Sequence, residues 1–121
     1  EFTLMSIINV FKDITGKDCS LSFRCPGCGR SHNLYYQDTP STFIGPRWTW
    51  NLDKDKPVLT PSILASGDYA GRRYVCHSFV GCNGAQPGEI IFLSDCTHDK
   101  AGTVQVLRPY QEIDDPEDDV E

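Results

Sequence analysis

Leu21 and Phe23 alternate with polar neighbours, then the chain runs into Cys25-Pro26-Gly27-Cys28-Gly29-Arg30-Ser31-His32 and resumes through Asn33 to Tyr36. A period of two broken by Pro and Gly predicts a strand that enters a tight turn and leaves it as a second strand. Arg47 to Asn51 alternates again as a short strand, and Lys56 to Leu64 reads as extended, because each proline biases its predecessor away from helix. Pro40, Pro46, Pro57 and Pro61 make the stretch from Gln37 to Ser66 poor in helix altogether. A turn follows at Gly67 to Gly71. Tyr74 to Val80 and Glu89 to Ser94 are β-prone runs joined by Gly81-Cys82-Asn83-Gly84-Ala85-Gln86-Pro87-Gly88, which predicts a hairpin, and Thr103 to Leu107 is a last strand. Only Met5 to Ile14 is ambiguous. Ile7, Ile8, Val10, Phe11 and Ile14 fit one helix face, with Ser6 as cap and Gly16 as stop, yet the β-branched content suits a strand equally. The pattern predicts a mainly β fold, with a small α+β content compatible.

Length and composition narrow this to one domain. A chain of 121 residues forms a single modest core, burying about 65% of the surface its unfolded form exposes. A bound metal would supplement such a core. The net charge of −6 is unevenly placed: Glu112, Asp114, Asp115, Glu117, Asp118, Asp119 and Glu121 hold seven of the 17 acidic residues, leaving ten against 11 basic residues in the body. Residues 5–111 are therefore read as one folded domain and 112–121 as a disordered, solubilising acidic tail. Glu1 and Phe2, ahead of Met5, read as a cloning remnant, and Glu1 to Leu4 are set aside from functional argument. Trp48 and Trp50 lack a basic stripe beside them and read as packing residues, so no nucleic-acid partner is expected. No apolar run reaches the length of a membrane span and no secretion signal is evident, which predicts a cytoplasmic protein without membrane association.

In a reducing compartment, six cysteines near histidines point to metal rather than disulfides. Cys25 and Cys28, two residues apart on a Pro-Gly turn, can both reach one ion at ~2.3 Å, which makes them half of a tetrahedral zinc site. The other half has two sources, Cys76-His77 and Asp95-Cys96-Thr97-His98, and each histidine of the chain, His32, His77 and His98, lies within a few residues of a cysteine. Along a strand Cys76 and His77 face opposite sides, whereas Cys96 and His98 can point the same way.

Two arrangements follow. Cys25, Cys28, Cys76 and Cys96 could close a four-thiolate site while His32, His77 and His98 converge on a second ion. Alternatively, one mixed site takes Cys25, Cys28 and two downstream residues. Three histidines with an open position would make a catalytic centre, because the pKa of the bound water can fall to ~7. Asp95 is the candidate catalytic residue, as a carboxylate orienting a liganding histidine or as a proton acceptor. Cys19 and Cys82 read as free thiols. Ser62 and Ser78 have no base partner legible in the sequence, which disfavours a serine nucleophile.

The blocks Phe23-Arg24-Cys25-Pro26-Gly27-Cys28-Gly29-Arg30-Ser31-His32, Trp48 to Ser62, Val75 to Val80, Gly88 to His98 and Ala101 to Val104, in this order, resemble a family of small phage and prophage proteins of unknown function. That family often carries the label ammonia monooxygenase, which nothing in these residues supports. The positions matching its pattern are Cys25, Cys28, His32, Cys76, His77, Asp95, Cys96 and His98. Similar domains occur near bacterial ubiquitin-like conjugation genes, and the resemblance implies a peptidase or another role in handling protein conjugates. The expected function is a zinc-dependent hydrolase acting on a protein or peptide, with one or two zinc ions. The alternative is a non-catalytic zinc module that binds a host or phage protein. No His-Glu-x-x-His helix is present, so Asp95 alone could serve as general base.

Overall fold

The computed structural model describes residues 6–37 and 45–109, apart from the side chains of Asp18 and Cys19. The acidic tail from Glu112 and the Cys19 thiol lie outside the described residues. Within them the chain contains strands and no helix. Strands β1 (Asn9–Lys12), β2 (Asp18–Arg24) and β3 (Ser31–Tyr35) form one antiparallel sheet in sequence order. Strands β4 (Thr49–Trp50), β5 (Leu59–Tyr69), β6 (Arg72–Val80), β7 (Glu89–Phe92) and β8 (Val104–Val106) form a second, also antiparallel and in sequence order.

The ambiguous first segment is strand β1. Val10 pairs with Leu21 across the ladder to β2, while Ile14, which a helical face would have buried, is fully exposed. Pairing with a neighbouring strand outweighs local propensity here. The Pro-Gly turn predicted between Phe23 and Asn33 is present and joins β2 to β3 in register, with Phe23 opposite His32.

The longest hairpin, β5–β6, runs further than the sequence suggests. Gly67 and Asp68 belong to the strand, and the turn is only Ala70 and Gly71, at φ 54° and 80°, between the paired residues Tyr69 and Arg72. Two successive left-handed residues twist with the strands that they connect, so the hairpin stays paired to its tip. Near its other end β5 bulges. Leu59 pairs with Val80 and Ile63 with Ser78, so β5 carries two more residues than β6 between these pairs. The bulge holds Pro61 and Ser62.

The two sheets share one apolar core. Leu21, Phe23, Leu34 and Tyr36 from the first meet Trp50, Leu59, Ile63, Val80, Ile90 and Phe92 from the second. Tyr36 packs edge-on against Trp50, with ring centroids 5.1 Å apart. The sheets are also tied through the backbone where Trp48 donates to Tyr35 and Gln37 donates to Trp48. Strand β6 runs through the middle of the larger sheet, so its alternate residues face two different environments. Cys76, Ser78 and Val80 are buried on the core side, while Val75, His77 and Phe79 turn to the outer face.

Candidate active site and metal centre

On the core side of β6, four donors from three elements converge. Cys25 and Cys28 come from the β2–β3 turn, His32 from β3 and Cys76 from β6, and their donor atoms all lie within 4.8 Å of one another. The turn is built for this. Cys25 N–H donates to the Arg30 carbonyl, Gly29 N–H donates to the Cys25 carbonyl with Gly29 at φ 75°, and Cys28 N–H points at Cys25 Sγ at 3.5 Å. The sulfurs of Cys25 and Cys76 are 3.8 Å apart, and His32 Nε2 lies 3.7 Å from the sulfurs of both Cys28 and Cys76. A tetrahedral ion with bonds of about 2.3 Å to sulfur and 2.05 Å to nitrogen requires sulfur–sulfur separations of ~3.8 Å and sulfur–nitrogen separations of ~3.6 Å. The geometry fits a closed four-coordinate site.

The ionisation of the cluster points the same way. Hydrogen bonds from Cys25 and Cys76 pull the Cys28 thiol far down, whereas those from Cys25 and Cys28, together with burial, push Cys76 far up. Burial alone would depress His32, but hydrogen bonds to Cys25 and Cys28 outweigh it and raise the imidazole to about 9. Without a cation the cluster thus favours a thiolate at Cys28, a protonated Cys76 and an imidazolium at His32. Three thiolates and a neutral imidazole in one buried space need a metal between them.

A second group, Cys76, Cys96 and one ring nitrogen of His98, also lies within 4.8 Å, but it has three donors and shares Cys76 with the first. His98 Nδ1 accepts from Lys100 N–H, its ring stands edge-on to Phe92 at 4.7 Å, and its buried Nε2 has no hydrogen-bond partner among the described residues. Both rings press on the metal turn. A Cβ on Gly27 would sit 2.5 Å from His98 Cε1 and 2.6 Å from Phe92 Cζ. Gly27→Ala is accordingly expected to push the turn away from β6, costing about 1–3 kcal/mol of stability by overpacking. Chemical denaturation of the metal-loaded protein would measure it, and unchanged stability would show that this packing is loose.

His77 belongs to neither donor group. On the outer face of β6 its Nδ1 lies 3.0 Å from Asp95 Oδ2 and its Nε2 lies 3.2 Å from Ser62 Oγ. With the carboxylate accepting from Nδ1–H, Nε2 is left to accept from the serine hydroxyl, which assigns the tautomer. Ser62 is carried to this position by the β5 bulge, a device that re-aims a side chain within a ladder. Its carbonyl is held by Trp48 Nε1–H at 3.2 Å.

Asp95 is placed by the loop after β7, which docks on the edge of β6. Leu93 N–H donates to the His77 carbonyl, Thr97 N–H to the Val75 carbonyl, and Val75 N–H to Thr97 Oγ1. Cys96 Sγ lies 3.2 Å from both the backbone N–H and the carbonyl of His77, accepting from one and donating to the other. The site is open to solvent, with the His77 side chain 24% exposed and that of Asp95 56%.

The three histidines therefore occupy three settings: His32 among the thiols, His77 between Ser62 and Asp95, and His98 against Phe92. Ser62, without a base partner legible in the sequence, has one in the structure, since His77 comes within hydrogen-bonding distance only once β5 and β6 pair. Ser78 is fully buried on the opposite face. Cys82 lies half-buried in the β6–β7 loop, donating to the Leu59 carbonyl, and burial pushes its thiol up.

Residues 5–87 match a family described as the serine protease of a bacterial ubiquitination-like system, BubE. The chain belongs to the BubE family. The matched span contains Ser62, His77 and all four donors of the metal group, and Asp95 lies beyond it. Membership ties the chain to bacterial ubiquitin-like conjugation. No curated protein and no solved structure matches the chain. Among the described residues no helix is long and apolar enough to cross a membrane.

Proposed function

We propose that this BubE-family chain is a serine protease that cleaves protein conjugates or precursors of a bacterial ubiquitin-like system. Ser62 is the nucleophile, His77 the general base and acid, and Asp95 the carboxylate that orients His77. The continuous hydrogen-bonded line Ser62–His77–Asp95 carries this reading, and membership of a family described as serine proteases supports it. Ser62 Oγ attacks the scissile carbonyl as His77 Nε2 takes its proton. The same proton passes to the departing amine, and water then releases the acyl group by the reverse relay. Asp95 stabilises the imidazolium that forms between these steps without itself taking the proton.

Zinc is the ion that suits three thiolates and one imidazole in a tetrahedral, four-donor site. Cys25, Cys28, His32 and Cys76 would hold it, and its contribution is to the fold, because all four positions are filled by protein. The hydrolysis is thus assigned to the serine rather than to a metal-bound water. The metal group and the serine site are joined through β6, where Cys76 and His77 are consecutive residues facing opposite sides. A full complement of metal then fixes the strand that carries the base.

Substitution of His77 tests this division. His77→Ala should lower kcat/KM on a peptide-linked ubiquitin-like fusion by about 10⁴-fold or more, and Asp95→Asn by about 10⁴-fold, while both variants keep the zinc content and melting temperature of the parent. Loss of zinc from His77→Ala would place this histidine among the metal ligands and remove the assignment.

A further inference from the structure

Strand β5 is flanked by strands on both sides only at its start. Its partner β4 covers Leu59 and Thr60, whereas β6 pairs with β5 as far as Tyr69. Among the described residues no strand lies on the other side of β5 from Pro61 onward, and Ser62 sits at the start of this open edge.

Which backbone groups face outward follows from the neighbouring ladder. His77 carries its N–H and carbonyl toward the β7 side, where they meet Cys96 and Leu93, and Val75 does the same toward Thr97. In an antiparallel ladder, successive residues direct their hydrogen-bonding groups to opposite sides. Tyr74, Cys76 and Ser78 therefore turn toward β5, where their partners are Gly67, Ala65 and Ile63. It follows that Leu64, Ser66 and Asp68 present their N–H and carbonyl groups to the open edge. The Ser62 carbonyl obeys the same parity and is the group taken by the Trp48 indole, which stops the edge at that end.

The edge is also easy to approach. Ala65, Ser66 and Gly67 are small, and a Cβ added at Gly67 would meet nothing within 4 Å. Leu64, the cross-strand partner of His77, leaves an apolar side chain 58% exposed on the triad face. An open edge with outward amides, small side chains and a nucleophile at its end is suited to an added strand.

We infer that BubE-type cleavage by this chain requires an extended polypeptide tail, which binds as an additional strand along Leu64 to Asp68 and delivers its carbonyl to Ser62. This deepens the serine protease reading and rests on it. The free edge lies on one side of Ser62 only, so recognition is concentrated on one side of the scissile bond. In a conjugate the acyl donor is the part common to every target, and the edge therefore takes the acyl side. A flexible tail supplies the extended segment without unfolding the domain that carries it.

The test uses the metal-loaded, full-length protein and two reagents that bond to Ser62: a small alkyl fluorophosphonate and a tetrapeptidyl aryl phosphonate that occupies the acyl side. Amide hydrogen exchange is then read residue by residue in both adducts. The tetrapeptidyl adduct should slow exchange at Leu64 and Ser66 by about tenfold or more relative to the small adduct, leaving Ile63, Ala65 and Gly67, already bonded to β6, unchanged. Identical exchange in the two adducts, or protection without this alternation, would overturn the strand-addition inference and leave the serine assignment standing. If neither reagent modifies Ser62, both fall together.

Discussion

Alanine at position 62 is expected to lower kcat/KM for peptide-bond cleavage by about 10⁶-fold, to the level left by binding alone, without disturbing the fold. The size of the effect follows from how the group acts. In the proposed reaction Ser62 Oγ is the atom that forms the covalent bond, and among the described residues no other hydroxyl is hydrogen-bonded to His77 Nε2. Ser78, on the neighbouring strand, is buried on the opposite face. The stability cost should be small, because Ser62 is only half-buried in a bulge and its hydroxyl bonds to a partly exposed histidine. The four metal donors lie behind the sheet and are untouched. Steady-state kinetics, with metal content and melting temperature measured on the same sample, would check this. A variant that retained a tenth of the activity would show that Ser62 is not the nucleophile.

Cys76→Ser is expected to do the opposite, abolishing cooperative folding and with it all activity. Cys76 is fully buried and contributes one of four donors in a site where a bound metal would join β6 to the β2–β3 turn. Binding of such an ion is worth about 10–16 kcal/mol in small zinc domains, which is comparable with the whole stability of a domain of this size. A serine hydroxyl keeps its proton and is a poor substitute for a thiolate, so most of that free energy is lost. Chelation of the metal from the wild-type protein should reproduce the effect. So should acid: metal binding requires three thiolates and a neutral His32, so affinity rises with pH and falls as protons compete for the same atoms. In the metal-free cluster His32 holds its proton up to about 9, which makes that competition strong at neutral pH. Circular dichroism with metal analysis would decide it, and a folded, metal-free Cys76→Ser variant would show that the apolar core alone sustains the fold.

Half of the site is legible in the sequence, and physical reasons separate that half from the rest. Cys25 and Cys28 are close in sequence, and a Pro-Gly turn between them leaves few conformations, so local chemistry suffices to bring them together. The period of two along Tyr74 to Val80 also holds in the structure, with Cys76 turned inward and His77 outward. The line through Ser62, His77 and Asp95 is non-local and depends on three details that local patterns do not encode. The β5 bulge adds two residues between Leu59 and Ile63, which breaks the alternation that would have assigned Ser62 a face. The hairpin turn at Ala70 and Gly71, rather than a broader turn from Gly67, sets the register that places Leu64 opposite His77 and Ser62 diagonally beside it. Asp95 reaches His77 only because Cys96 and Thr97 dock on the β6 backbone, a use of Cys96 that no spacing suggests. The strand at Asn9 to Lys12 was equally undecidable from its own residues, since its partner β2 settles it.

The division of labour between a metal that holds the fold and a serine that reacts is tested most directly by covalent labelling. Metal-loaded protein treated with an alkyl fluorophosphonate should gain one adduct, mapped by peptide mass spectrometry to Ser62, with its metal content unchanged. The same treatment of His77→Ala, also fully metal-loaded, should give no adduct on the same timescale, because the hydroxyl then lacks its base. Labelling of Ser62 that proceeds equally fast without His77, or wild-type protein that remains unmodified while it cleaves its substrate, would contradict the assignment of Ser62 as an activated nucleophile.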